Sequence, residues 1–203
     1  MSNDTEGTLK ATKSYYDAHA TEWAKRHAHR DFWKDEYSIF ADVVHQGRVL
    51  DLGCGTGRDS FFLSSHGYEY VGGDYSHSML SHARVGAPGL MFVQMDMRNL
   101  CFPPNTFDAF WACASLLHIP KDQVLCVLKR LRDILKPVSN GFISLKEGTG
   151  EGADNTGRHF SYYQTSEFKS LLGAAGFVLL IQDRKLPKPP NEVSTWLTFH
   201  VTS

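Results

Sequence analysis

Three glycines at alternating positions, Gly53, Gly55 and Gly57, follow the apolar run Val49-Leu50-Asp51-Leu52 and lead straight into Arg58. Glycine suits a chain that must turn sharply and let a ligand approach its backbone, because no Cβ stands in the way. A strand-to-helix turn at the carboxyl end of the first parallel strand is where α/β sheets bind nucleotides. The dinucleotide pattern G-x-G-x-x-G wants its third glycine where Arg58 stands, which argues against a nicotinamide-dependent oxidoreductase. Such a loop alone also serves as a plain turn; the residues at the next strand ends decide between the two. Asp74 closes Val71-Gly72-Gly73-Asp74, at about the 20-residue distance from which a carboxylate can accept both hydroxyls of a ribose. Its competing role is a helix N-cap or a solvated turn. Asp96, in Gln94-Met95-Asp96-Met97, is a short acid able to take the amino group of a purine while a methionine packs on its flat face. Three such signals at three successive strand ends arise by chance far less often than any one of them.

Other chemistry-bearing residues are fewer. His118 follows the fourth strand-like run, and its ordinary pKa near 6.5 suits acid–base work or contact with a substrate. A helix-start or core histidine is the alternative. His27 and His29 resemble a metal pair, but two exposed histidines on a helix usually form a solvated face, so no metal is expected. Cys54, Cys101, Cys113 and Cys126 form no C-x-x-C pair. That argues against a zinc site or a disulfide framework and for reduced thiols in a cytoplasmic setting. Lys146, Glu147, Arg158, His159, Tyr162 and Tyr163 flank a glycine-rich polar stretch, Glu147 to Gly157, which the composition makes a loop. These residues either line a pocket under a mobile lid or cap a surface loop.

The elements that must position these residues are legible from periodicity. Met1 to Gly7 is polar and reads as a disordered tail. Residues 8–46 carry Tyr15, Tyr16, Trp23, Phe32, Trp33, Tyr37 and Phe40 at roughly helical spacing, which predicts two helices ahead of the first strand. Short β-rich runs then alternate with helical ones: strand Arg48–Leu52 and a helix near Arg58–Ser65, strand Tyr68–Gly72 and a helix near His77–Ala83, then strands Leu90–Gln94 and Phe107–Ala114. The clearest helix runs from Lys121 to Lys136, with Val124, Leu128, Leu131 and Leu135 on one stripe and Val127 and Ile134 beside it. Pro137 and Ser139-Asn140-Gly141 stop it. A strand over Phe142–Leu145, a helix near Ser166–Ala175, and strands Phe177–Gln182 and Ser194–Val201 complete the chain. The last two strands meet across Pro187-Lys188-Pro189-Pro190 with no helix between them. This order predicts a parallel sheet with helices on both faces and an antiparallel hairpin at one edge.

Length and charge set outer bounds. The 203 residues suffice for one domain and are too few for two comfortable ones. Twenty-one basic residues against 22 acidic ones give a net charge of -1. No global field is therefore available to hold nucleic acid or an anionic membrane, and a small-molecule partner is favoured. No apolar run reaches the roughly 18 residues of a membrane span, and the N-terminus has no apolar signal region. Oligomeric state leaves no mark in the sequence.

Taken together, Asp51-Leu52-Gly53-Cys54-Gly55-Thr56-Gly57, Asp74, Asp96-Met97 and Leu135-Lys136-Pro137 resemble the class I S-adenosylmethionine (SAM)-dependent methyltransferases, from about Tyr15 to Thr202. Gly57-Arg58-Asp59-Ser60, Trp111-Ala112-Cys113-Ala114-Ser115-Leu116-Leu117-His118, Ser144-Leu145-Lys146-Glu147-Gly148 and Trp196-Leu197 further resemble a compact bacterial, tellurite-resistance-like subgroup. The resemblance implies a Rossmann-like, seven-stranded, mostly parallel sheet with a reversed last hairpin and SAM across the strand ends. It implies that Gly53, Gly55 and Gly57 line the methionine and sugar portion, with Asp51, Cys54 and Arg58 also among the cofactor-binding residues. Asp74 would hold the ribose with Tyr75 and Met79 nearby, Asp96 and Met97 would frame the adenine, and Cys113 would approach the methionine end. Tyr16 and Trp23 would close the site from the N-terminal helices, and His118 would be the catalytic candidate. The implied activity is methyl transfer to a small-molecule acceptor; a SAM-binding module without turnover is the alternative. One departure is Leu135-Lys136-Pro137-Val138-Ser139-Asn140, where the family usually turns on two glycines after the proline.

Overall fold

The computed structural model describes residues 2–26, 31–187 and 194–203. His27, His29 and most of the proline-rich turn at 187–190 lie outside them. Seven strands form one sheet in the order β3-β2-β1-β4-β5-β9-β8. They are β1 Arg48–Leu52, β2 Glu69–Asp74, β3 Met91–Gln94, β4 Phe107–Cys113, β5 Leu135–Lys146, β8 Val178–Lys185 and β9 Trp196–Thr202. The first five pair in parallel, whereas β9 runs antiparallel between β5 and β8. The strand order reverses direction between β1 and β4, and at such a switch point the strand ends open a crevice.

Alternation along β4 explains why both faces of the sheet are covered. Trp111 stacks on Tyr37 of α2 (Lys34–Val43), ring centroids 5.1 Å apart, while its neighbour Phe110 packs against Phe177 at 5.8 Å. Successive side chains in a strand point to opposite faces, so a fully buried β4 demands cover on each. α5 (Lys121–Ile134) buries Val124, Val127, Leu128, Leu131 and Ile134. Each such side chain stabilises the fold by roughly 1.5–3 kcal/mol relative to exposure. α3 (Ser60–Ser65), α4 (His77–Gly86) and α6 (Thr165–Ala174) complete the helical cover.

Three sequence expectations are corrected. The helix α1 spans Ser2–Arg26, so residues 2–7 are helical where a tail was expected; a polar helix face carries no apolar period to announce it. α5 ends at Ile134, and Leu135, expected to continue its stripe, pairs instead with Phe107 as the start of β5. The register then shifts until Asn140 meets Ala109, so Lys136–Ser139 bulge from the ladder. Val138 sits there at φ 60, in the left-handed region that costs a β-branched residue energy and that the family's glycines would relieve. Finally, the polar stretch after β5 is not a loop. It contains an antiparallel hairpin, β6 Glu151–Ala153 with β7 His159–Ser161. Its turn is closed by the Asp154 carboxylate, which accepts from the backbone N–H groups of Thr156 (2.9 Å) and Arg158 (3.0 Å). Strands of three residues among glycines leave no periodic signal.

Candidate active site

A cleft opens at the carboxyl ends of β1, β2 and β4 under α1. Its floor is the glycine bend. Gly53 and Cys54 donate their N–H groups to the carbonyl of Gly73 at 2.8 and 3.0 Å, tying the bend to the end of β2. Gly53 (φ 80) must be glycine: a Cβ there would lie 2.3 Å from the Cβ of Ser115 in the turn after β4. Gly55 (φ 55) has open space where a Cβ would stand, and it lines the cleft. Its backbone is thus bared towards whatever occupies the cavity.

Asp74, the last residue of β2, meets this bend directly. One carboxylate oxygen accepts from the N–H of Gly55 at 2.8 Å and the other from the N–H of Ser76 at 2.8 Å. Burial pushes its carboxyl above the ordinary range, against those backbone donors. Each oxygen retains a second lone pair for a ligand hydroxyl. Ser115 Oγ is buried in the same wall with no partner among the described residues. A buried hydroxyl without a partner costs roughly 1–3 kcal/mol, which a ligand at this wall would offset. Its neighbour Ala114 holds φ 56, a strained conformation of the kind found at ligand clamps.

Arg58 and Asp59 form the third part. Asp59 accepts from both Arg58 Nε (2.6 Å) and Nη2 (2.7 Å), from Tyr37 Oη (2.6 Å) and from Trp111 Nε1 (2.9 Å). Burial opposes its charge, but these donors outweigh it and hold the carboxyl below the ordinary range. Arg58 Nη2 also donates to Cys113 Sγ at 3.0 Å. Burial pushes the Cys113 thiol up, so it stays protonated and is no nucleophile. At the far end, Arg98 grips Asp96 with Nε (3.1 and 3.0 Å) and Nη2 (2.5 Å) and reaches Glu6 of α1 with Nη1 at 3.1 Å.

α1 forms the roof. Leu9, Thr12, Lys13, Tyr16 and Trp23 recur at helical spacing and face the cleft. The Asp17 carboxylate accepts from Ser76 Oγ (2.6 Å) and the N–H of Ser78 (3.1 Å), pinning α1 to the start of α4. Tyr16 Oη lies 2.7 Å from His118 Nε2, and His118 Nδ1 lies 2.7 Å from the carbonyl oxygen of His159 on β7. Burial lowers the His118 pKa to about 4.

The cleft thus gathers Tyr16, Trp23, Gly53, Cys54, Gly55, Arg58, Asp74, Tyr75, Met79, Asp96, Met97, Cys113 and His118 from distant parts of the sequence. Asp51 and Gly57 do not line it. The Asp51 side chain is buried inside the sheet layer, where Tyr70 Oη donates to it at 2.9 Å, and Gly57 packs against Ala83. Lys146, Glu147, Arg158, His159, Tyr162 and Tyr163 also stand outside the cleft wall. Arg158 lies behind Tyr16, 4.6 Å from the Tyr15 ring centroid and paired with Asp154. Sequence reasoning gave no role to Thr12, Asp59, Arg98 or Ser115. Asp59 and Ser115 each stood in a quoted motif, but nothing in the spacing marked the contacts they make.

The residues present suit a nucleoside bearing an amino-acid tail: a carboxylate for vicinal hydroxyls, an acid and methionine for a purine, bared backbone between, and a guanidinium at the other end. Residues 49–138 match the family described as a methyltransferase domain. YqeM of Bacillus subtilis, named as a methyltransferase, is 36% identical over 116 residues, covering 55% of this chain and 46% of YqeM. Phosphatidylethanolamine N-methyltransferase of Cereibacter sphaeroides is 43% identical over 83 residues, covering 38% of this chain and 40% of that one. The chain thus spans less than half the length of these relatives. Among solved structures, Burkholderia thailandensis 1,6-didemethyltoxoflavin-N1-methyltransferase, with 1,6-didemethyltoxoflavin and S-adenosylhomocysteine bound, superposes at a TM-score of 0.82. It is 20% identical and covers 98% of this chain and 90% of its own. Residues 49–138 are thus similar to a methyltransferase domain, and the whole chain shares the fold of a solved methyltransferase.

Proposed function

We propose that this protein transfers a methyl group from SAM to a small-molecule acceptor. The observation that carries the reading is the convergence of the Asp74 carboxylate and the Gly55 backbone, 2.8 Å apart, on one roofed cleft. Bound there, SAM supplies a methyl group on a sulfonium, an electrophile that needs no metal. Asp74 would accept the ribose hydroxyls, Asp96 and Met97 would frame the adenine, and Arg58 would face the amino-acid carboxylate. Tyr16, Trp23 and His118 would close the acceptor side. What this chain contributes is alignment and exclusion of water, and orientation of that kind is worth roughly 7–11 kcal/mol. Burial of His118 argues against a role as a free proton acceptor at neutral pH. The near-neutral charge of -1 and a cleft roofed by α1 support a small acceptor over a nucleic acid. Among the described residues no helix is long and apolar enough to cross a membrane.

Calorimetry with SAM and S-adenosylhomocysteine tests the cofactor reading. Micromolar binding is expected, weakened roughly tenfold to a hundredfold in Asp74→Asn, the loss of one or two charge-assisted hydrogen bonds. Binding of neither would end the proposal, as would tight binding of NADH in their place. Labelled SAM offered to thiols, amines, phenols and oxyanions then separates an enzyme from a silent SAM-binding module, since only the enzyme gives a methylated product.

A further inference from the structure

The hydrogens at the acceptor end follow from geometry together with the burial that keeps His118 neutral. A carbonyl oxygen only accepts, so His118 Nδ1, 2.7 Å from the His159 carbonyl, must carry the imidazole hydrogen. Nε2 of the neutral ring is then bare, and Tyr16 Oη, 2.7 Å away, must donate to it. Tyr16 has one hydrogen and has spent it. The Arg158 guanidinium stands beside the same oxygen, so towards the cleft Tyr16 can act only as an acceptor, through the lone-pair density that is left.

The charges at this wall are also spoken for. Asp59 is held by Arg58, Tyr37 and Trp111, Asp96 by Arg98, and Lys13 by Asp17 at 2.6 Å. Among the described residues lining the cleft, Asp74 is left, and it faces the glycine bend. No unpaired carboxylate waits beside Tyr16 for an ammonium group. The remaining surface is aromatic and apolar: Trp23 stands edge-on to Tyr16 at 5.2 Å between ring centroids, near Leu9 and Ile119.

We infer that the methyl acceptor is an uncharged, planar heteroaromatic or phenolic molecule that presents an N–H or O–H to the Tyr16 oxygen. Tyr16 is then a specificity residue and His118 the group that sets its polarity by holding its hydrogen. An ammonium acceptor would have to be desolvated with no counter-charge to meet it, which is costly. A neutral ring would lie against the aromatic wall and donate to the Tyr16 oxygen. This inference rests on the SAM-methyltransferase reading of the same cleft.

The test uses the purified chain saturated with S-adenosylhomocysteine and three probes: lumazine, a neutral pteridinedione with ring N–H groups; its 1,3-dimethyl derivative, which lacks them; and phosphoethanolamine, which is charged. Lumazine is expected to bind roughly tenfold tighter than the dimethyl derivative, the worth of one hydrogen bond, and phosphoethanolamine not to bind. Tyr16→Phe should abolish the difference while leaving S-adenosylhomocysteine affinity within about twofold, which also reports that the variant is folded. Catechol, with O–H donors, repeats the comparison against 1,2-dimethoxybenzene and covers the phenolic arm. If neither pair shows discrimination, or if phosphoethanolamine binds best, the inference is overturned while the cofactor reading survives. Failure of S-adenosylhomocysteine to bind at all would sink the cofactor reading itself.

Discussion

His118 illustrates how a residue type misleads until its neighbours are known. An exposed histidine titrates near pH 6.5 and suits proton transfer. Here burial lowers the pKa to about 4, and both ring nitrogens are engaged, one by Tyr16 and one by the His159 carbonyl. The sign follows directly. Above about pH 4 the folded imidazole stays neutral, whereas the unfolded one takes a proton below about 6.5. Nitrogen-resolved NMR should therefore find the Nδ1–H tautomer and no titration of His118 between pH 8 and 5. An inflection near 6.5 would refute the assignment of hydrogens at this wall. The sequence marked His118 by its position after β4, and that position is right. What it lacked was the partner: Tyr16 lies 102 residues away and His159 lies on a hairpin with no periodic signature. Asp74 was legible for the opposite reason, because its contact with Gly55 spans adjacent parallel strands whose order the alternation of elements already implied.

The glycine bend works as an element, and its members carry different loads. Gly53 and Gly55 both hold positive φ, but a Cβ on Gly53 would collide with Ser115, whereas one on Gly55 meets nothing within 4 Å. Gly55→Ala should cost about 1–2 kcal/mol of stability, the strain of a left-handed non-glycine, while placing a methyl group in the cleft and reducing SAM affinity. Gly53→Ala should cost about 3 kcal/mol or more, since β1 and the turn after β4 must separate to admit it. Urea unfolding of both variants, with cofactor titrations beside it, tests the contrast; equal stability losses would contradict it. The three-glycine spacing announced the bend, but not this division, because the decisive neighbour Ser115 comes from another strand end. The same limit explains the α5–β5 junction. Leu135 satisfied the helical stripe in sequence, yet pairing with Phe107 offered it a burial that periodicity cannot weigh.

At the scale of the whole molecule, the sheet was the most legible feature and the roof the least. Parallel strands demand long crossovers, so alternating runs constrain topology strongly, whereas α1 is fastened by polar contacts that no pattern reveals. Asp17 accepts from Ser76 and Ser78, Tyr16 meets His118, Glu6 accepts from Arg98, and Thr12 Oγ1 accepts from the His159 N–H at 2.8 Å. Among the α1 side chains described, Leu9, Thr12 and Ala20 are buried, so few apolar contacts hold the helix down. A roof attached through hydrogen bonds rather than a core can lift without unfolding the sheet beneath it, and local opening of this kind belongs to the low-stability end of a fold. A cofactor enclosed under α1 needs that opening to enter and leave, and it should in turn hold the roof shut. Hydrogen exchange in α1 and in the β6–β7 hairpin should therefore slow on adding S-adenosylhomocysteine, while exchange in β1 and β4 stays unchanged. Asp17→Ala, which removes the Ser76 and Ser78 contacts between α1 and the start of α4 without touching the sheet, should raise the dissociation rate of S-adenosylhomocysteine by roughly tenfold, as expected for lost charge-assisted hydrogen bonds. Unaltered exchange in α1, together with an unaltered dissociation rate, would show that the cofactor passes by another route and that α1 is a fixed wall.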